Sequence, residues 1–145
     1  MKQNTIYFVI LAATLLVACS SKAAQPISEA ESGRKVLVTG GAYTDVTVTE
    51  LQGMLGNKDF PFVNVHIPFE GDLPDTDLSI PFDEIQNHLD QLPADKDAKI
   101  VLYCRSGRMS SIAAETLVGL GYTNVYNLEG GFNAWQRAGL PMVGK

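Results

Sequence analysis

One stretch of the chain concentrates residues able to do covalent chemistry: Tyr103-Cys104-Arg105-Ser106-Gly107-Arg108-Met109-Ser110. It joins an apolar, β-branched run to a helical pattern, so Cys104 stands where a strand ends and a helix begins. A thiol there feels the positive end of the helix dipole and faces backbone N–H groups with no partner inside the helix. Both effects, with the charges of Arg105 and Arg108, favour the thiolate, the nucleophilic form of cysteine. Gly107 lets the loop curl until successive N–H groups point inward as an anion-binding nest. Cys104 is therefore expected to be a nucleophile on the floor of an anion cradle, with Arg105, Ser106, Gly107, Arg108 and Met109 lining the substrate site. A buried, inert cysteine at a strand end is the plainer alternative, but it gives no reason for the arginines and the glycine.

The second cysteine has a different setting. Lys2 precedes an apolar run over residues 6–18 that ends in Leu16-Val17-Ala18-Cys19. The run is short for a membrane span and has the form of a secretory signal peptide. Its last four residues resemble a bacterial lipobox, which implies removal of residues 1–18 and lipidation of Cys19. Several acyl chains on one residue anchor a protein stably, whereas one gives only marginal binding. The expectation is a membrane-anchored lipoprotein on the exported side, periplasmic or cell-surface. Residues 19–33 would form the lipidated N-terminus and a small, polar tether, and residues 34–145 the folded domain. Cys104 is then the sole free thiol of an exported protein, which requires a reason.

Composition narrows the classes. Across 145 residues, 11 basic side chains oppose 16 acidic ones, for a net charge of −5. No basic excess exists to neutralise phosphates, which argues against nucleic acid. With 2 cysteines and 2 histidines, His66 and His88, a disulfide scaffold or multi-cysteine zinc module is excluded. No metal is expected, and the length suits one domain acting as a monomer.

The elements that must hold the loop can be read in turn. Val36-Leu37-Val38 and residues 43–48 read as strands around a Gly40-Gly41 turn. Thr49 is the expected N-cap of a helix through Leu55, closed by Gly56-Asn57. Residues 62–65 form a compact apolar strand. Residues 68–81 read as irregular, and the acids Glu70, Asp72, Asp75 and Asp77 lack a calcium-loop spacing and suit a solvated loop. Phe82, Ile85 and Leu89 fall on one helical stripe ended by Pro93. Residues 100–103 are a strand, and residues 110–120 a helix with Ile112, Ala113, Leu117 and Leu120 facing inward. Residues 125–128 form a last strand and residues 131–138 a short helix. His88, beside Asn87 and Asp90, is expected on a solvated face. This alternation predicts an α/β domain with a central, mainly parallel sheet flanked by helices. Such sheets bind ligands at the carboxyl ends of strands, where the Cys104 loop lies.

At this point a family resemblance becomes specific. Residues 103–111 resemble the active-site loop of the rhodanese-like (sulfurtransferase) family, whose pattern is cysteine, two residues, glycine. Asn127-Leu128-Glu129-Gly130-Gly131-Phe132-Asn133-Ala134-Trp135, followed by Gly139-Leu140-Pro141, resembles its carboxyl-terminal signature. Gly71-Asp72-Leu73-Pro74-Asp75-Thr76 echoes its central glycine-x-x-proline segment. The resemblance runs over residues 48–142 and is strongest from Lys99 onward. It implies a single rhodanese-like domain that transfers a sulfane sulfur through a Cys104 persulfide. The donor would be thiosulfate or a related small anion, the acceptor cyanide or a thiol, and no cofactor would be needed. The loop amides of residues 105–109 would hold the persulfide's charge, and Arg105 and Arg108 would attract the donor.

Departures from the pattern carry their own expectations. The strand that ends aspartate-x-arginine in that family reads Asn64-Val65-His66 here. One charged pair supporting the loop would thus become neutral or pH-dependent. His66 is a candidate auxiliary residue near the active-site edge of the sheet, either a hydrogen-bonded strand-end histidine or one that titrates within reach of substrate. Met109 stands where relatives often carry a polar or basic residue. A cysteine phosphatase of related fold needs an arginine six residues after the cysteine to fork onto phosphate, and that position is Ser110. A disulfide oxidoreductase needs a resolving thiol, and Cys19 would be lipidated. The alternative from another class is a non-catalytic anion- or partner-binding module of the same fold, although such modules commonly lose the cysteine.

Overall fold

The protein's computed structural model describes residues 33–144. The leader, Cys19 and nearly all of the tether lie outside the described residues. Strands β1 (Arg34–Val38) and β2 (Gly41–Val46) form an antiparallel hairpin. Strand β2 then pairs in parallel with β6 (Val125–Leu128), β6 with β5 (Ile100–Tyr103), β5 with β3 (Phe62–Asn64), and β3 with β4 (Leu78–Ser79). The sheet order is β1-β2-β6-β5-β3-β4, so the expected mainly parallel sheet is observed and its antiparallel member is an edge strand.

Helices α1 (Val48–Leu55), α2 (Arg108–Gly119) and α3 (Gly131–Arg137) complete the α/β architecture. All four residues of β5 are buried, as expected of a parallel strand covered on both faces. Its side chains alternate between two apolar clusters. Ile100 and Leu102 join Val63, Val65, Ala113 and Leu117. Val101 and Tyr103 join Phe62, Tyr126, Phe132 and Trp135. A sheet clamped between two cores holds the end of β5, and with it Cys104, in a fixed place.

Several local expectations are corrected. The N-cap of α1 is Thr47, not Thr49. The Thr47 side chain accepts from Glu50 N, and the Glu50 carboxylate accepts from Thr47 N at 2.7 Å, a reciprocal capping box. The stretch read as irregular contains β4, whose pairing is extended by Ile80 N donating to Asn64 O at 2.9 Å. The stripe of Phe82, Ile85 and Leu89 forms no α-helix but two 3-10 turns, Ile85–Asn87 and Leu89–Gln91. They are interrupted at His88, whose backbone (φ −122°, ψ 28°) leaves the helical region. Ile85 still reaches the core, with Phe82 and Leu89 packed beside it. Helix α2 starts at Arg108, before the expected Ser110, and Ile112 and Leu120 are exposed. The face that meets the sheet carries Ser110, Ala113, Ala114, Leu117 and Val118, and Ile112 lies on the opposite side of the turn. His88 is partly exposed, with Nδ1 3.0 Å from Gln91 Nε2.

Candidate active site

Cys104 follows directly on β5 and is 1% exposed. Its Sγ accepts a hydrogen bond from Gly107 N at 3.1 Å and one from the Ser110 hydroxyl at 3.4 Å. The same hydroxyl lies 3.2 Å from Gly107 O, so its single proton has two acceptors to choose between. Gly107 is the N-cap of α2 in the left-handed region (φ 92°), and no side chain caps that helix. The first-turn amides of Arg108, Met109 and Ser110 consequently have no acceptor within the helix. A sulfur anion at Cys104 sits against a fixed array of donors.

The outer side of the loop is gripped by α3. Phe132 N donates to Cys104 O at 2.9 Å, and Asn133 N to Arg105 O at 3.0 Å. This close approach requires glycine at 131. Its φ is +54°, and a Cβ there would overlap Cys104 O and stand 2.7 Å from the Arg105 carbonyl carbon. Gly107 meets the same constraint from the other side, since a Cβ on it would come 3.2 Å from Gly130 N. The pair Gly130-Gly131 thus lets two backbone segments touch with nothing between them.

The expected substrate-site residues divide in their surroundings. Ser106 and Arg108 are exposed, and Met109 is partly buried against the α2-side core. Among the described residues no carboxylate pairs with Arg108. Arg105, by contrast, places Nη1 3.1 Å from Glu70 Oε1, so part of its charge is already offset. Glu70 also lies 3.5 Å through Oε2 from Nε2 of His66.

His66 is 5% exposed just beyond β3, with its ring edge-on to Phe132 at a centroid distance of 5.4 Å. Its backbone N donates to Asn64 Oδ1 at 3.0 Å, but neither ring nitrogen has a hydrogen-bond partner. The expectation of a hydrogen-bonded strand-end ring is therefore corrected. Asn64 does the bracing instead: Nδ2 donates to Gly71 O at 3.1 Å and to Asp72 Oδ1 at 2.9 Å. A neutral amide can take this role because it both donates and accepts.

Other site residues had weak or no sequence signals. The Tyr103 hydroxyl accepts from Leu73 N at 3.0 Å, lies 2.8 Å from Thr76 Oγ1, and donates to Asp72 Oδ1 at 3.1 Å. Burial pushes its ionisation well above the usual tyrosine range, so it acts as a neutral pin for the loop over residues 72–76. Ser110 could have been singled out as a hydroxyl in the first helical turn after a nucleophile. Glu70 could not, because its partner Arg105 is 35 residues away. An open groove of about 480 Å³ runs past Arg105, Glu70, Phe132 and Gln136, and a pairing of Asp72 with Val143 lies beside it. Among the described residues, no group of three or more His, Cys, Asp or Glu is placed to hold a metal ion.

A mainly parallel α/β sheet with a cysteine loop between its central strand and a helix N-terminus is the arrangement of the rhodanese fold, and the chain belongs to the rhodanese-like domain family, whose profile matches residues 48–138. Several of its relatives are sulfurtransferases by name. A protein called "Sulfurtransferase" from Allochromatium vinosum is 39% identical over 95 residues, covering 63% of this chain and 86% of that one. "Thiosulfate sulfurtransferase GlpE" from Actinobacillus succinogenes is 48% identical over 48 residues, covering 33% of this chain and 43% of that relative, under half its length. Among solved structures, a rhodanese-related protein from Thermoplasma volcanium superposes with a TM-score of 0.58 at 28% identity, covering 68% of this chain and 96% of that one.

Proposed function

We propose that this protein is a sulfurtransferase that moves a sulfane sulfur from thiosulfate or a related anion to cyanide or a thiol through a persulfide on Cys104. The observation that carries this reading is the buried Sγ held by Gly107 N and the Ser110 hydroxyl at 3.1 and 3.4 Å. The Cys104 thiolate attacks the outer sulfur of thiosulfate, the S–S bond breaks, and sulfite leaves with the bonding pair. The acceptor then attacks the outer sulfur of the persulfide, and the electron pair of that bond returns to Sγ. Charge resides on sulfur at each stage, so prealigned N–H donors stabilise it without reorganisation. Ser110, standing where a phosphatase would need an arginine, favours sulfur over phosphate chemistry.

The lipobox-like run through Cys19 supports an anchored lipoprotein on the exported side of a membrane. Loss of radiolabelled palmitate incorporation on Cys19→Ser tests the anchor. For the chemistry, intact mass is measured on a chain beginning at Ser21, before and after thiosulfate, with Cys104→Ala as control. A gain of one sulfur atom, reversed by cyanide and absent from the control, is the expected result. No gain from thiosulfate or an organic persulfide, while iodoacetamide still alkylates Cys104, would replace transfer with a non-catalytic anion-binding module.

A further inference from the structure

The His66 side chain is 4% exposed, yet both ring nitrogens lack a hydrogen-bond partner. A neutral imidazole left this way forfeits the bonds that water would have given it. Among the described residues, the charged group that pairs with its ring is Glu70, with Oε2 3.5 Å from Nε2, and the other oxygen of that carboxylate holds Arg105 at 3.1 Å. One carboxylate therefore stands between a buried titratable ring and a cation on the nucleophile's loop.

We propose that His66 is a positioning residue that sets, through Glu70, how much positive charge Arg105 offers to an anionic donor at the mouth of the Cys104 loop. With His66 neutral, Glu70 offsets Arg105 and the trio carries no net charge. With His66 protonated, Glu70 is shared between two cations, the trio is positive, and Arg105 is freer to turn toward an anion. The other groups facing His66 do not duplicate this change. Asn64, which accepts from His66 N, and Phe132 on α3, whose ring meets the imidazole edge-on, are uncharged, and Asp72 on the adjoining loop is held by Asn64 and Tyr103. On the β5 side Tyr103 stays neutral, which leaves Cys104 itself as the other titrating group, and the test must cancel it.

This inference takes its substrate class from the sulfurtransferase reading, but its main test does not require sulfur transfer. Cys104 in the full chain is alkylated with iodoacetate, an anion, and with iodoacetamide, its neutral analogue, between about pH 8 and 5.5, where histidines take up a proton. Both reagents consume the same thiolate, so the ratio of their rates cancels Cys104 ionisation and reports the charge at the mouth. The ratio of iodoacetate to iodoacetamide should rise about three- to fivefold as pH falls, the size of a screened unit charge several ångströms away. His66→Gln should hold the ratio flat at its high-pH value, and His66→Arg should hold it flat at or above the low-pH value. Glu70→Gln should raise the ratio at pH 8 to at least the acid value of the wild type. The KM for thiosulfate should fall with pH in the wild type and stay constant in His66→Gln. A flat wild-type ratio, a rise that survives His66→Gln, or a Glu70→Gln ratio unchanged at pH 8 would each overturn the proposal. A ratio that behaves as expected in a protein that never gains sulfur would instead remove the sulfurtransferase reading and leave the charge device standing.

Discussion

Replacing Gly131 with alanine tests whether α3 holds the active-site loop by direct backbone contact. A Cβ at Gly131 (φ +54°) would overlap Cys104 O and crowd the Arg105 carbonyl carbon at 2.7 Å, whereas one at Gly139 (φ +79°) would meet nothing within 4 Å. Alanine in the left-handed region costs roughly 1–2 kcal/mol at either position. Only at Gly131 must the loop also move. That movement weakens the bonds from Phe132 N to Cys104 O (2.9 Å) and Asn133 N to Arg105 O (3.0 Å), each worth about 0.5–1.5 kcal/mol. Forced overpacking adds roughly 1–3 kcal/mol. Gly131→Ala should therefore lose about 3 kcal/mol or more, a large share of the roughly 5–15 kcal/mol that holds an ordinary domain together. Gly139→Ala should lose about 1–2 kcal/mol. Urea denaturation of the two variants measures the difference, with the Cys104 alkylation rate recorded on the folded protein. Losses at the two glycines within about 1 kcal/mol of each other, or normal sulfur transfer by Gly131→Ala, would refute the contact.

Three further predictions concern the donors around the sulfur and the loop's supports. Ser110→Ala removes a buried hydroxyl from Sγ and should slow persulfide formation roughly 10- to 150-fold, the worth of one hydrogen bond to a charge; stopped-flow kinetics with thiosulfate would show it, and an unchanged rate would exclude the bond from the chemistry. Tyr103→Phe leaves Leu73 N without its acceptor and should cost about 1–3 kcal/mol in urea denaturation, with little change in the alkylation rate of Cys104. Arg108→Leu should raise the donor concentration needed for half-maximal rate more for thiosulfate than for an uncharged persulfide donor; equal effects on both would remove its role in attracting the anion.

What the sequence discloses follows from how local each feature is. The four buried residues of β5 form an unbroken apolar, β-branched run, and its bounds can be read directly. The Cys104 loop is legible because the nucleophile, the turn glycine and the helix start are neighbours in the chain. The start of α1 is misread because Thr47 and Thr49 both suit a cap, and the choice rests on where the Glu50 carboxylate turns back. The 3-10 turns around His88 carry a helical stripe, since a core position needs only the right side of a turn, not a full α-helix. Contacts that cross the chain have no such trace. The grip of Phe132 and Asn133 on the loop, the sharing of Glu70 by His66 and Arg105, and the Tyr103 pin each join residues that only the folded sheet brings together.

The hydroxyl of Ser110 has a consequence for how the loop tolerates a changing charge. While Sγ is an anion, the hydroxyl turns toward it. Under the proposed mechanism, attachment of the outer sulfur would move the charge one atom outward and make Sγ a neutral bridge, and the proton would be free to swing to Gly107 O, 3.2 Å away. Rotation about one side-chain bond would then absorb the electrical difference between the empty and loaded forms. The backbone, clamped by α3 on its far side, has no need to shift between them. The loop works as a rigid mould with one moving latch.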